Sequence, residues 1–289
     1  MKRNINIFLV SILIAFASCS FTSKSFDNPD KDKLLMQLIT YLLEEGHFEP
    51  KDINDTFSEG VYTSFLSQID PFKNYFYQSD IDEFGAYKTE LDDQILNYDV
   101  SFFNLVHERL LVRIEESKKV YNQVLEPPFD YTLEETFNTD YENKPYASTK
   151  FEMKDNWRKQ LKFSTLSNYH DLVTENNNKE EEPKASLTEL EVESRDATLK
   201  SLNESYSYMD DLRREDWLSI YINAIAEEFD PHTFYFAPQD KDRFDAQMSG
   251  KYEGIGARLQ KRMDEISITE LISGGSAWRQ NKLEVGDVI

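Results

Sequence analysis

A chain of 289 residues, 39% hydrophobic and 13% aromatic, has room for one or two domains and enough apolar surface for a sizeable core. Its formal net charge of -22 argues against a nucleic-acid partner, because phosphates would be repelled rather than neutralised. Four scattered histidines and one cysteine offer no metal-ligand spacing, so neither a metal nor a cofactor is expected.

The chain opens MKRNINIFLVSILIAFASCS, with Lys2 and Arg3 before an apolar run from about Ile5 to Ala17. That is a secretory leader layout, too short to span a bilayer comfortably. Two processing routes are open. Ala15-Phe16-Ala17 fits a small-x-small cleavage site, whereas Phe16 to Cys19 resembles a bacterial lipobox, with Phe where Leu is usual, whose cysteine becomes the acylated first residue. Cys19 has no intrachain disulfide partner, and lipidation gives its thiol a purpose in an oxidising compartment. Both routes predict export to the periplasm, and the second adds a membrane anchor. Residues 1–19 are therefore expected to be a signal peptide and 20–30 a polar tether.

From Lys31 the apolar spacing predicts a helix with Leu35, Leu38, Ile39, Leu42 and Leu43 on one face and a stop at Gly46. A second helix near Asp55 carries Phe57, Val61, Phe65 and Ile69 four apart. Ser79 with Asp82 reads as a capping box that opens a third helix through Phe84, Tyr87 and Leu91. A long helix from about Asp99 to Leu125 follows, with Phe102, Phe103, Val106, Leu110 and Ile114 inward and Pro127-Pro128 as terminator. Another is expected around Trp157 and Leu161. The charged stretch from Glu175 to Ser186, broken by Pro183, reads as a solvated loop or hinge. Helices resume at Ser186 and from Arg214 to Phe229, where Trp217, Tyr221, Ile225 and Phe229 share one stripe.

One phrase occurs twice. DPFKNYFYQSDIDEF (70–84) and DPHTFYFAPQDKDRF (230–244) agree at seven of fifteen positions across an ungapped offset of 160 residues. Asp accepts backbone N–H bonds and Pro fixes φ where no donor is needed, so each copy predicts a turn. Its aromatics would plug that turn into a helical core. At Gly250 the period changes to apolar-polar alternation with glycine-marked turns, the mark of short strands. Ile266 and Ile268 share one face, and the chain reaches Ile289 within what reads as a further strand, as though cut short. The expected fold is mainly α: a multi-helix N-terminal domain over 31–249, then an incomplete β-rich module over 250–289.

EGIGARLQ (253–260) followed by ISITELISGGSAWRQNKLEVGDVI (266–289) resembles the first half of a bacterial PDZ domain. Gly254, Ile255, Gly256 and Ala257 match its carboxylate-binding loop, where glycines let successive N–H groups converge on an anionic chain terminus. Taken with FDPHTFYFAPQDKDRFDAQMSGKYEG before it, the segment is similar to the junction of helical region and PDZ domain in the tail-specific proteases, C-terminal-processing serine endopeptidases. The resemblance covers roughly residues 30–289 and is loose between about 125 and 185.

It implies partners in the C-terminal tails of substrate proteins, with an adaptor lipoprotein as a further one. It also implies a Ser/Lys catalytic pair, for which no position here matches, so no catalytic residue is assigned. His232 in the second Asp-Pro phrase and Ser276 in SGGSA are read as structural, a turn residue and a helix opener. The competing class is a non-enzymatic lipoprotein that holds peptides at the same PDZ-like edge.

Overall fold

The structure, a computed structural model, describes residues 29–178, 185–237, 241, 244–245, 248–249, 254–262 and 265–289. The leader, Cys19 and most of the tether lie outside these residues. What is described is mainly α: helices α1 (Pro29–Glu45), α2 (Asp55–Ile69), α3 (Gln78–Phe84), α4 (Leu91–Leu96), α5 (Ser101–Leu125), α6 (Lys150–Asn178), α7 (Leu187–Asp211) and α8 (Arg214–Phe229), then strands β1 (Ala257–Arg262) and β2 (Glu265–Leu271) and a short α9 (Ser276–Gln280).

Helix α2 starts where Asn54 accepts N–H bonds from Thr56 and Phe57 at 3.0 and 3.2 Å, the side-chain cap a helix start needs. Its stripe Phe57, Val61, Phe65 and Ile69 is buried, as is the stripe Trp217, Tyr221, Ile225 and Phe229 of α8. The two stripes meet. Phe57 lies edge-on to Phe229 at 5.1 Å and Phe65 to Tyr221 at 5.0 Å, so the start of α2 sits beside the end of α8. Phe102 and Phe103 of α5 close this aromatic centre, and α6 packs between α5 and α7.

Three expected elements come out differently. In α1 the buried positions are Asp32, Met36, Thr40 and Leu43, while Leu38 and Leu42 are 53% and 51% exposed. The ion pair from Asp32 to Arg214 of α8, 2.6 Å, turns that side of the helix inward. The third helix begins one residue earlier than Ser79 and is shorter. Asp80, not Asp82, folds back to accept the Tyr77 N–H at 2.9 Å, and a 3-10 turn over Gly85–Tyr87 separates α3 from α4. The loop expected from Glu175 is helical to Asn178. The Asn176 amide bonds both backbone groups of Ala185, at 3.0 and 3.1 Å, which ties the end of α6 to the start of α7.

The doubled phrase is a doubled structure. Asp70 and Asp230 each end a helix by donating N–H to the residue four back, Leu66 and Ala226. Lys73 and Thr233 then donate to the Asp carbonyls, and Ile81 and Lys241 donate to Tyr77 and Ala237. Every one of these bonds recurs at the 160-residue offset. So does an aromatic pair: Phe76 with Phe84 at 5.3 Å, and Phe236 with Phe244 at 5.1 Å. The surroundings differ. The first pair is fully buried beside Phe102, whereas Phe236 and Phe244 are 46% and 43% exposed. The expectation that both turns plug into a helical core holds fully for the first, which α5 covers, and in part for the second, where Tyr235 packs against the core while Phe236 and Phe244 stay exposed.

Asp70 is the buried member of the Asp pair, and its carboxylate accepts N–H bonds from Asn74, Tyr75 and Phe76. Burial raises its pKa from 3.8 to about 6 against those three bonds and the nearby Lys144. A carboxyl raised on folding binds its proton more tightly in the native state. Its stabilising contribution is present below 3.8 and lost as pH climbs through about 6. Thermal unfolding followed by circular dichroism should show a decline between those values that Asp70→Asn lacks. Superimposable pH profiles would contradict it.

Candidate functional site

The glycine-marked loop before β1 is built by close backbone contact. Gly256 has φ +78, and a Cβ there would lie 2.9 Å from both the Gly275 Cα and the Ser276 N, so glycine is required twice over. Gly254 has open space around it and tolerates a methyl. The loop carbonyls are used internally. The Ile255 oxygen accepts from the Ala277 N–H at 2.8 Å, and the Gly256 oxygen from the Ile272 N–H at 2.9 Å. These bonds fasten the loop to the first turn of α9 and to the end of β2. Among the described residues, the N–H groups of Gly254, Ile255 and Gly256 have no backbone acceptor. Ile255 is half exposed, and Ala277 beneath it is buried.

Strand β1 leaves this loop and pairs with β2 from Ala257↔Leu271 to Arg262↔Glu265, with a register shift between Arg258 and Leu259. The Thr269 hydroxyl donates to the Arg258 carbonyl across that bulge, 3.2 Å, and Arg258 pairs with Glu270 at 2.6 Å. The far side of β2 is also occupied. The Ile268 N–H donates to Asp287, and the N–H groups of Gly286 and Ile289 donate to Ile268 and Ile266. β2 therefore has neighbours on both edges, whereas β1, among the described residues, has one. An unpaired strand edge is a template for another extended chain.

The other residues singled out in the sequence sit in structural roles. Ser276 is the first residue of α9, after Gly275, and is exposed. His232 is exposed in its turn, where its N–H donates to Asp230 at 2.7 Å. The adjacent Thr233 is held by His47, whose Nε2 lies 3.1 Å from its hydroxyl. Among the described residues no group of three or more His, Cys, Asp or Glu side chains is placed to hold a metal ion, and no helix is long and apolar enough to cross a membrane. One contact near the loop carried no sequence signal. Lys261 of β1 pairs with Asp211 at the end of α7, 2.5 Å, across fifty residues of chain.

Comparison with known proteins gives matches of two kinds. The model of a family described as the tail-specific protease N-terminal domain matches residues 39–239. A curated tail-specific protease of Haemophilus influenzae is 29% identical over 261 residues, which cover 90% of this chain and 35% of that relative. The chain thus spans about a third of the relative's length, and the alignment takes in more of it than the helical match alone.

Proposed function

The chain belongs to the tail-specific protease family through its N-terminal domain, and on that premise we propose that it is the substrate-recognition portion of a serine endopeptidase that takes hold of proteins by their C-terminal tails. The observation that carries this reading is the loop at 254–257, whose Ile255 and Gly256 carbonyls are bonded inward while its first three N–H groups have no backbone acceptor among the described residues. Such a run of amides is a nest for a carboxylate. A chain gripped there can continue as a strand along the open edge of β1, with main-chain bonds supplying affinity whatever its sequence. Cleavage in this scheme belongs to a Ser/Lys pair outside this chain, so no residue here is given a catalytic role. Export, and a periplasmic location at the membrane through acylated Cys19, are part of the same proposal and rest on the leader sequence.

The test is fluorescence anisotropy with a labelled peptide ending in Ala-Ala and the same peptide with an amidated end. Hydrogen bonds to a charged group contribute about 1.5–3 kcal/mol each, so amidation should weaken binding by at least about tenfold. Gly256→Val should abolish binding by forcing the loop off Gly275, whereas Gly254→Ala should leave the fold and binding intact. Equal affinity for the acid and amide peptides would refute the loop assignment even if Gly256→Val failed to fold.

A further inference from the structure

Beside β1 lies a cavity of about 600 Å³. It is lined on one side by Gln260 and Lys261 of β1 and on the other by α7 side chains that include Ser201, Glu204, Tyr208 and Asp211. No residue of β2 lines it, so it adjoins β1 on the side that β2 leaves open. We propose that this cavity between α7 and β1 is a second subsite for the same polypeptide tail, one that receives the residues upstream of its terminus and selects polar and cationic side chains there. The inference rests on the reading of the 254–257 loop as the carboxylate grip.

The direction of the tail follows from where its end is held. A chain with its carboxylate at the start of β1, extended along that strand, runs opposite to β1 and reaches Gln260 and Lys261 after three to four residues. At about 3.3 Å per residue that is about 10–13 Å from the grip. The tail's fourth and fifth residues, counted from its end, therefore face the cavity. What they meet is a mixed wall of serine hydroxyls, the Tyr75 and Tyr208 rings and Met209, with two carboxylates, Glu204 and Asp211, and one cation, Lys261, already paired with Asp211. The surplus charge is one negative, centred on Glu204. A glutamate is repelled by that charge. A lysine or arginine finds Glu204 directly and can share Asp211 with Lys261. The helical domain then takes part in choosing substrates instead of only carrying the grip.

Two labelled peptides with identical Ala-Ala ends, one with lysine and one with glutamate at the fourth and fifth positions from the carboxylate, decide this on the full chain. Partly exposed ion pairs of this kind discriminate by about three- to fivefold, so the lysine peptide should bind that much more tightly at low salt. High salt and Glu204→Gln should each shrink the difference. Carboxylate-dependent binding with no lysine preference, or a preference unchanged in Glu204→Gln, overturns the subsite and leaves the grip standing. Binding that ignores the terminal carboxylate overturns both.

Discussion

Phe102→Ala is expected to lower the free energy of unfolding by about 3–5 kcal/mol, the range for emptying a fully buried aromatic site. Phe102 is the hub of the helical core. Tyr62 and Tyr87 lie 5.7 Å from its ring, Phe65 6.1 Å, Tyr221 6.3 Å and Phe84 6.4 Å. Those rings come from α2, α3, the 3-10 turn and α8, so the cavity would open where four segments converge and none can collapse into it alone. Such aromatic pairs also contribute about 0.5–1.5 kcal/mol each beyond buried area. Phe102→Leu keeps part of the volume and should cost well under half as much. Urea unfolding followed by tryptophan fluorescence reads both. A loss below about 1 kcal/mol for the alanine variant would show that the centre of the core lies elsewhere.

Asp80→Ala is expected to cost about 3–5 kcal/mol, because it strips the partner from more than one group at once. The Asp80 carboxylate is buried at the start of α3 and accepts from Arg113 at 2.8 and 2.9 Å, from Arg109, and from the Tyr77 N–H. Burial by itself raises its pKa, but the bonds from Arg113, Tyr77 and Arg109 outweigh that and hold it below the usual carboxylate value. A carboxyl lowered on folding stabilises above its unfolded value, and that contribution is lost as pH falls through the folded one. Arg113 stays largely enclosed over the Tyr77 ring, 4.5 Å from its centroid, so removing Asp80 leaves a cation whose remaining carboxylate partner among the described residues is Glu116. A double-mutant cycle with Arg113→Met separates the two effects. Coupling near zero would mean that Arg113 draws its support from Glu116 and the ring.

The helical stripes could be read directly from the chain where four-residue spacing and burial coincide. Phe57 to Ile69, Trp217 to Phe229 and the inward face of α5 are of this kind, because each is dominated by large apolar side chains. Helix α1 misleads for the opposite reason. Its leucines surround much of the helix, and the buried side is selected by Asp32 reaching an arginine 182 residues away. The start of α3 and the tie between α6 and α7 depend on single polar side chains, Asp80 and Asn176, that bond the backbone of Tyr77 and Ala185. The loop at 254–257 stood out through its glycines, and Gly256 owes that residue type to a neighbour, Gly275, nineteen positions on. The α7 wall of the cavity had no local mark, since serines, a glutamate and an aspartate on a solvated helix look alike whether or not a strand lies opposite.

The pairing of α2 with α8 also sets the order in which the molecule can be finished. The partner that covers Phe57 and Phe65 is synthesised about 160 residues after them, behind helices α3, α4 and α5 and the α6–α7 hairpin. Closing so long a loop costs little extra equilibrium stability, since that entropy grows only with the logarithm of length, but contacts of large sequence separation slow folding. Until Phe229 has left the ribosome, the first helices carry an uncovered aromatic stripe and depend on one another for shelter. The helical domain is thereby held in an unfinished, extensible state until α8 arrives to lock it.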